Sequence, residues 1–318
     1  MTLLRPSPVS ALSLTALVLS LAWAPPALAC AGCGCTLSSD WESQGFSTTS
    51  GWKVDLRYDY LNQDQLRHNR SKINPSQVPD GQELETYSHN RYWTLGLDYR
   101  PAPDWGVNVQ LPQIDREHGT LGEDHASPDH SSHNDLGDIR VLGRYQGWLP
   151  GHNLGLQFGL KLPTGSHTQT FDSGAPLDRG LQPGSGTTDL LLGAYFFDAL
   201  SQNWDYFAQA LAQTPLDTKD QYRPGKSLNF NVGVRYMNGG NWVPQVQINA
   251  RVAGKDQGAQ ADQDNSGGRL VYLSPGVTYK INAQTSVYGF VQVPLFQDVN
   301  GYQLTPKTTA SLGVRYAF

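Results

Sequence analysis

Apolar and polar residues alternate one for one along most of this chain. From Trp52 to Leu61 the residues Trp52, Val54, Leu56, Tyr58 and Tyr60 form one face, and Lys53, Asp55, Arg57 and Asp59 form the other. A period of two is the mark of a β-strand with two different faces. Four charges in one row are very costly against a protein core. They cost little against a water-filled lumen, and the opposite row then meets lipid. The same alternation predicts strands at Trp93 to Tyr99, Trp105 to Leu111, Ile139 to Tyr145, Leu154 to Leu162, Leu190 to Phe196 (less cleanly) and Trp204 to Ala212. It continues through Leu228 to Tyr236, Val246 to Val252, Leu270 to Tyr279, Val287 to Leu295 and Thr308 to Phe318. That makes twelve strands, an even number, as single-chain bacterial barrels require.

The connections alternate in length. Short ones run Arg100 to Asp104, Leu149 to Asn153, Asp198 to Asn203, Asn238 to Asn241 and Asn282 to Gln284, with turn residues such as Pro101, Pro103, Pro150, Gly151, Gly239 and Gly240. Long ones run Asn62 to Asn90, Gln113 to Leu136, Pro163 to Thr187, Thr214 to Gly225, Gly254 to Gly268 and Phe296 to Thr305. Short turns facing the periplasm and long loops facing outside fit a transmembrane antiparallel up-and-down β-barrel of about twelve strands, with both termini periplasmic.

Aromatic residues gather near the predicted strand ends, among them Trp52, Trp93, Trp105, Trp148, Trp204, Trp242, Tyr60, Tyr99, Tyr145, Tyr236 and Tyr279. This placement suits interfacial girdles, although aromatics favour strands in any case. The last strand alternates to the end of the chain, through Ala310, Leu312, Val314, Tyr316 and Phe318. Tyr316 and the terminal Phe318 resemble the signal read by the bacterial barrel-assembly machinery.

The N-terminus reads as a secretory signal over residues 1–29. Arg5 supplies the positive charge, Ala11 to Ala24 the apolar run, and Ala27-Leu28-Ala29 a small-x-small cleavage site before Cys30. A 30–50 periplasmic segment, a candidate plug, then leads into the 51–318 barrel. Only 38% of the chain is hydrophobic, which would be thin for a soluble core but suits a wall whose inner face is wet. Removing Arg5 with the signal takes the net charge from −5 to −6, and no basic footprint for nucleic acid appears. The expected surroundings are the lipid of a Gram-negative outer membrane and a small-molecule solute.

The middle of the chain carries a more specific pattern. Leu136-Gly137-Asp138-Ile139-Arg140, then Gly159-Leu160-Lys161-Leu162-Pro163-Thr164-Gly165, then Gly184-Ser185-Gly186-Thr187-Thr188-Asp189 stand at the ends of successive strands. This set resembles the outer-membrane β-barrel family labelled as phenol meta-pathway transporters, over roughly residues 130–200. The resemblance implies the barrel fold, the outer membrane and, more loosely, transport; it carries over no substrate residues. On their own chemistry Pro163 and Gly165 end a strand, the glycines at 184 and 186 allow a tight re-entry, and Asp138 and Asp189 are placed to pair with Arg140, Arg144 or Lys161.

The inward positions are charged: Lys53, Arg57, Arg140, Arg144, Lys161, Arg235, Arg251 and Arg315 against Asp55, Asp59, Asp98, Asp138 and Asp205. Rings of charge tune pore selectivity, so these are the expected pore-lining residues, with a modest anion preference. The expected function is an outer-membrane channel for small hydrophobic or anionic solutes, with no cofactor. A different class of reading comes from Cys30, Cys33 and Cys35, three thiols that suit copper or zinc, form a disulfide with one left over, or offer Cys30 for lipidation. His118, His125, His130 and His133, with nearby acids, extend that metal-linked reading, in which the barrel is an anchor. A third reading is a surface hydrolase, for which Ser88, His89 and His152 form no recognisable motif. The chain is therefore expected not to be an enzyme.

Overall fold

The structure, a computed structural model, describes residues 44–318. The signal segment and Cys30, Cys33 and Cys35 lie outside these residues. The strands are β1 (Gly51–Asn69), β2 (Ser71–Lys72), β3 (Leu84–Ala102), β4 (Trp105–Leu121), β5 (Pro128–Leu136), β6 (Ile139–Tyr145) and β7 (Leu154–Leu162). They continue as β8 (Asp189–Ala199), β9 (Trp204–Pro215), β10 (Ser227–Tyr236), β11 (Trp242–Ala253), β12 (Gly268–Lys280) and β13 (Thr285–Ala317). Each wall strand pairs antiparallel with its sequence neighbour, and β13 pairs with β1, which closes the sheet. Two short pieces stand off the closed path: β2 pairs only with β1, and β5 pairs with β4. Eleven labelled strands therefore make the wall.

The 33-residue β13 is folded on itself at Gly301 (φ +52°). Its first arm pairs with β12 and its second with β1. The arms touch each other, as Arg315 Nη2 donates to Ser286 Oγ at 2.9 Å and Gln297 Nε2 to the Pro306 carbonyl at 2.8 Å. Counting both arms, the chain crosses the wall twelve times.

The alternation places apolar residues outward. Trp93, Phe158, Leu192, Phe230, Ile248, Val291 and Leu312 are all exposed. Their strand neighbours Gln157, Asn231, Gln247, Asn249, Gln292 and Ser311 are buried inside. Closure pairs both edges of each wall strand, which lipid would otherwise penalise. The ladder closes at the chain end, where Phe318 N donates to the Trp52 carbonyl at 2.9 Å and Trp52 N donates back at 3.0 Å. Rings pair at the short-turn end: Trp52 on Tyr99, Tyr145 on Trp148, Trp204 on Tyr236, Trp242 on Tyr279 and Tyr316 on Phe318, with centroids 4.4–5.7 Å apart.

Three expected loops are largely strand. β1 runs on to Asn69 and β3 begins at Leu84, inside the expected loop 62–90. β4 and β5 build a hairpin through the expected loop 113–136, and the expected loop 296–305 is the tip of β13. These extensions rise past the lipid-facing band, so their outer row is no longer apolar and hydropathy does not mark them. Thr120, Ser131 and His133 of the β4–β5 hairpin are buried polar residues.

Candidate functional site

The three motifs of the middle chain meet at one point. Gly165 and Gly184 lie backbone against backbone beside Gly137, and a Cβ on Gly165 or Gly184 would overlap main-chain atoms. Asp138 is the hub: Oδ1 accepts Gly165 N at 3.1 Å, and Oδ2 accepts Ser185 N at 3.0 Å and Lys161 Nζ at 2.8 Å. Lys161 also pairs with Asp189 at 3.3 Å, and Asp189 accepts from Gln213 at 2.5 Å. Both motif aspartates thus pair with Lys161 rather than with Arg140 or Arg144.

This knot turns segment 163–188 into the long-loop end of the barrel. Phe171, Leu177 and Leu181 form a buried cluster within it. Arg116 reaches in from β4 to donate to the Leu181 carbonyl, and also donates to Asn90 Oδ1 at 2.5 Å and to Tyr92 Oη at 2.8 Å. The Arg179 guanidinium lies 4.9 Å from the Tyr222 ring centroid and 3.7 Å from Asp220.

Below this segment lies a chamber of about 330 Å³. Among the described residues, Arg57, Arg116, Arg140, Arg144, Lys161, Arg179 and Arg251 line it together with the carboxylates Asp138 and Asp189. Arg57 pairs with Asp59 at 2.8 Å, and Arg144 pairs with Asp98. Arg140 donates to Gln213 at 2.6 Å and Arg251 to Asn229 at 3.0 Å. Across the lumen a belt of neutral groups is hydrogen-bonded in series: Gln209 to Gln157 (2.9 Å), Asn231 to Gln209 (3.0 Å), Asn249 to Asn231 (2.9 Å), Ser274 to Asn249 (2.6 Å) and Gln292 to Ser274 (3.3 Å). Such a chain satisfies buried amides and fixes their orientation.

The other expected pore residues also stand on the inner row. Lys53, Asp55, Arg57, Asp98 and Arg315 surround a smaller cavity nearer the short turns. Asp55 accepts from Tyr288 Oη at 2.9 Å, Asp59 accepts from Ser311 Oγ at 2.5 Å, and Arg235 pairs with Asp205 at 2.9 Å.

At the short-turn end residues 44–47 enter the barrel. Gln44 lines the chamber, and Phe46 is buried among Tyr195, Phe207 and Phe197. Arg100, Arg116, Phe46 and the amide belt went unnoticed in the sequence. Arg100 continues the inward parity of β3 one step beyond Asp98, and Arg116 that of β4 three steps beyond Gln110. Phe46 has no such signal.

The four histidines do not converge. His118 is buried and meets Ser88 Oγ through Nδ1 at 3.2 Å, His125 meets the Gln82 carbonyl at 2.9 Å, His130 meets Asp172 at 3.3 Å, and His133 is buried on β5. Among the described residues no three His, Cys, Asp or Glu side chains are grouped to hold a metal ion. Ser88 and His118 are the nearest approach to a hydrolytic pair. Both are buried, no described carboxylate pairs with His118, and its Nε2 has no described hydrogen-bond partner, so the orienting group that a catalytic dyad needs is missing from the described residues.

A closed antiparallel barrel with an apolar outer face, paired rings at one end and a charged lumen defines an outer-membrane β-barrel protein. The chain belongs to the family described as "Putative MetA-pathway of phenol degradation", whose model matches residues 82–305. Its fold is similar to the crystal structure of the COG4313 outer membrane channel from Pseudomonas putida F1, at 14% identity and a TM-score of 0.66, over 88% of this chain and 100% of that one. The transport unit of the autotransporter AIDA-I from Escherichia coli is similar at 12% identity and a TM-score of 0.50, over 88% and 93%. The CymD monoaromatic hydrocarbon channel stands at 11% and 0.49, over 92% and 98%. No curated protein matches the chain. The likeness to such different barrels concerns shape, so function is argued from the lumen.

Proposed function

We propose that this protein is a passive outer-membrane channel for small solutes, that it favours anions, and that its short turns and both chain ends face the periplasm. The observation that carries the proposal is the chamber lining, which among the described residues presents seven cationic side chains against Asp138 and Asp189 in the lining and Asp59, Asp98 and Asp220 as further partners. Walls of low dielectric focus that field into the lumen and raise the local concentration of anions. The cations are fixed by neighbours rather than free to swing: Lys161 by the motif knot, Arg140 by Gln213 and Arg251 by Asn229. They are therefore placed to pass an anion from one to the next without collapsing onto it. The chamber's size suits a solute of modest size.

Flux into proteoliposomes tests the reading. Small carboxylates are expected to enter faster than neutral solutes of equal size, and amines slowest. Arg140→Gln with Arg251→Gln is expected to erase the order while leaving neutral flux intact. Equal entry for all three classes in the unaltered protein would contradict the proposal.

A further inference from the structure

The most unusual stretch of the lumen wall is apolar. On β8 and β9 the inner row carries Leu191, Tyr195, Phe197 and Phe207, whereas the middle of β10 and β11 carries amides and charges. The rings of Tyr195 and Phe207 reach over Gly155 and Gly233 of the neighbouring strands, where a Cβ would collide with them. Glycine beneath an aromatic ring lets the ring pack on the sheet itself. The result is a slot, and Phe46 fills it, with centroids 4.7 Å from Phe207, 5.3 Å from Tyr195 and 6.1 Å from Phe197.

The main chain beside that ring is held through its oxygens. Arg100 Nη2 donates to the Gly45 carbonyl at 3.1 Å, and Gln146 Nε2 donates to the Ser47 carbonyl at 3.1 Å. Gln146 is itself fixed by Tyr195 Oη at 2.6 Å. Arg100 is 2% exposed and forms no ion pair among the described residues; it also donates to the Pro103 carbonyl and lies beside the Tyr195 hydroxyl, with Asp98 further off. Arg144 stands so close to Gly45 that a Cβ there would overlap its guanidinium. A buried guanidinium held by neutral carbonyls gains more from a carboxylate, which accepts two charge-assisted hydrogen bonds.

We infer that the slot and Arg100 together form a binding site for an aromatic carboxylate, which the chain's own residues 45–47 occupy as a tethered stand-in. The ligand's ring takes the place of Phe46, and its carboxylate takes the place of the Gly45 carbonyl on Arg100. A neutral aromatic forfeits the guanidinium, and an aliphatic acid forfeits the slot. Entry of such a ligand displaces residues 44–47 from the short-turn end of the lumen. The site stands independently of the channel reading; only the consequence, an opened passage, rests on it.

Benzoate is the probe, with toluene and acetate as controls, on the purified full chain in detergent. Heat-modifiable migration verifies folding. Phe46→Ala removes the tethered ring, so benzoate is expected to bind this variant at least about tenfold more tightly than the unaltered protein, and more tightly than toluene or acetate. Benzoate added to the unaltered protein is expected to speed hydrogen exchange across residues 44–50. Arg100→Gln in the Phe46→Ala background is expected to abolish the preference for benzoate over toluene. If that variant does not fold, the benzoate-to-toluene preference of Phe46→Ala alone reads the same contact. Equal benzoate affinity with and without Phe46, or no preference over toluene, overturns the inference. Tight benzoate binding by a protein that conducts nothing would instead leave the site standing and remove the channel.

Discussion

Two stretches of the same wall behave differently. In the middle of β10 and β11 the inward positions are polar or glycine: Asn229, Asn231, Gly233 and Arg235 face Arg251, Asn249, Gln247 and Gln245 in register, with apolar Val243 and Ala253 only at the two ends of β11. In β8 the run Leu190-Leu191-Leu192 is apolar on both faces, and Tyr195 and Phe197 continue the inner row. The first stretch lines a wet lumen, and its amides satisfy one another. The second has Phe46 packed against it. A lapse in period two along a barrel strand therefore marks a place where something other than water lies against the inner wall.

The outer faces of the two stretches are equally apolar. Leu192→Arg on β8 and Ile248→Arg on β11 each place a charge against lipid and should cost about 2–4 kcal/mol near mid-membrane. Reversible unfolding from lipid or detergent measures both; a large loss for one and none for the other would mean that the wall is wrongly oriented on the milder side. The inner faces differ. Asn249→Leu strands the partners Asn231 and Ser274 and should cost about 1–3 kcal/mol, whereas Leu191→Met, a swap of similar volume on an apolar inner row, should cost under about 1.5 kcal/mol. The reverse ranking in thermal melts would mean that the two inner faces do not differ as described.

A further effect, read by pH rather than by substitution, lies beyond the wall. Burial, and then the nearby Arg116 guanidinium, hold the His133 imidazole on β5 down at about 4 from its ordinary 6.5. The unfolded hairpin therefore binds a proton between pH 6.5 and 4 that the folded one does not. Its stabilisation is complete above pH 6.5 and is lost as pH falls towards 4. Hydrogen exchange of the β5 amides, corrected for intrinsic rates, should quicken over that window, and His133→Gln should weaken the dependence, the remainder coming from the buried His118 imidazole of β4, held down at about 3. An unaltered hairpin indifferent to pH would show that His133 is not buried.

Much of this was legible beforehand, for identifiable reasons. Where one face meets lipid and the other meets water, as at Trp52 to Leu61, alternation marks the strand, its inner row and its place in the twelve crossings. The hairpin of β4 and β5 was hidden because above the lipid band both of its faces are polar. Arg100 was hidden because Pro101 and Pro103 read as a turn, though the strand carries its side chain inward before the turn begins. The glycines of the middle motifs announced a bend, but not that Gly165 and Gly184 press backbone on backbone around Asp138. Phe46 was hidden altogether, since a contact between the N-terminal segment and β8 leaves no local period in either.

On this reading the lumen conducts and prefers anions. Reversal potential in a planar bilayer holding the Phe46→Ala protein, under a tenfold gradient of potassium chloride, tests it most directly. The account predicts a steady conductance whose reversal potential lies on the chloride side of zero and moves towards zero in Arg140→Gln/Arg251→Gln. A potassium-side reversal, or a correctly folded barrel that passes no current in this variant, would contradict it.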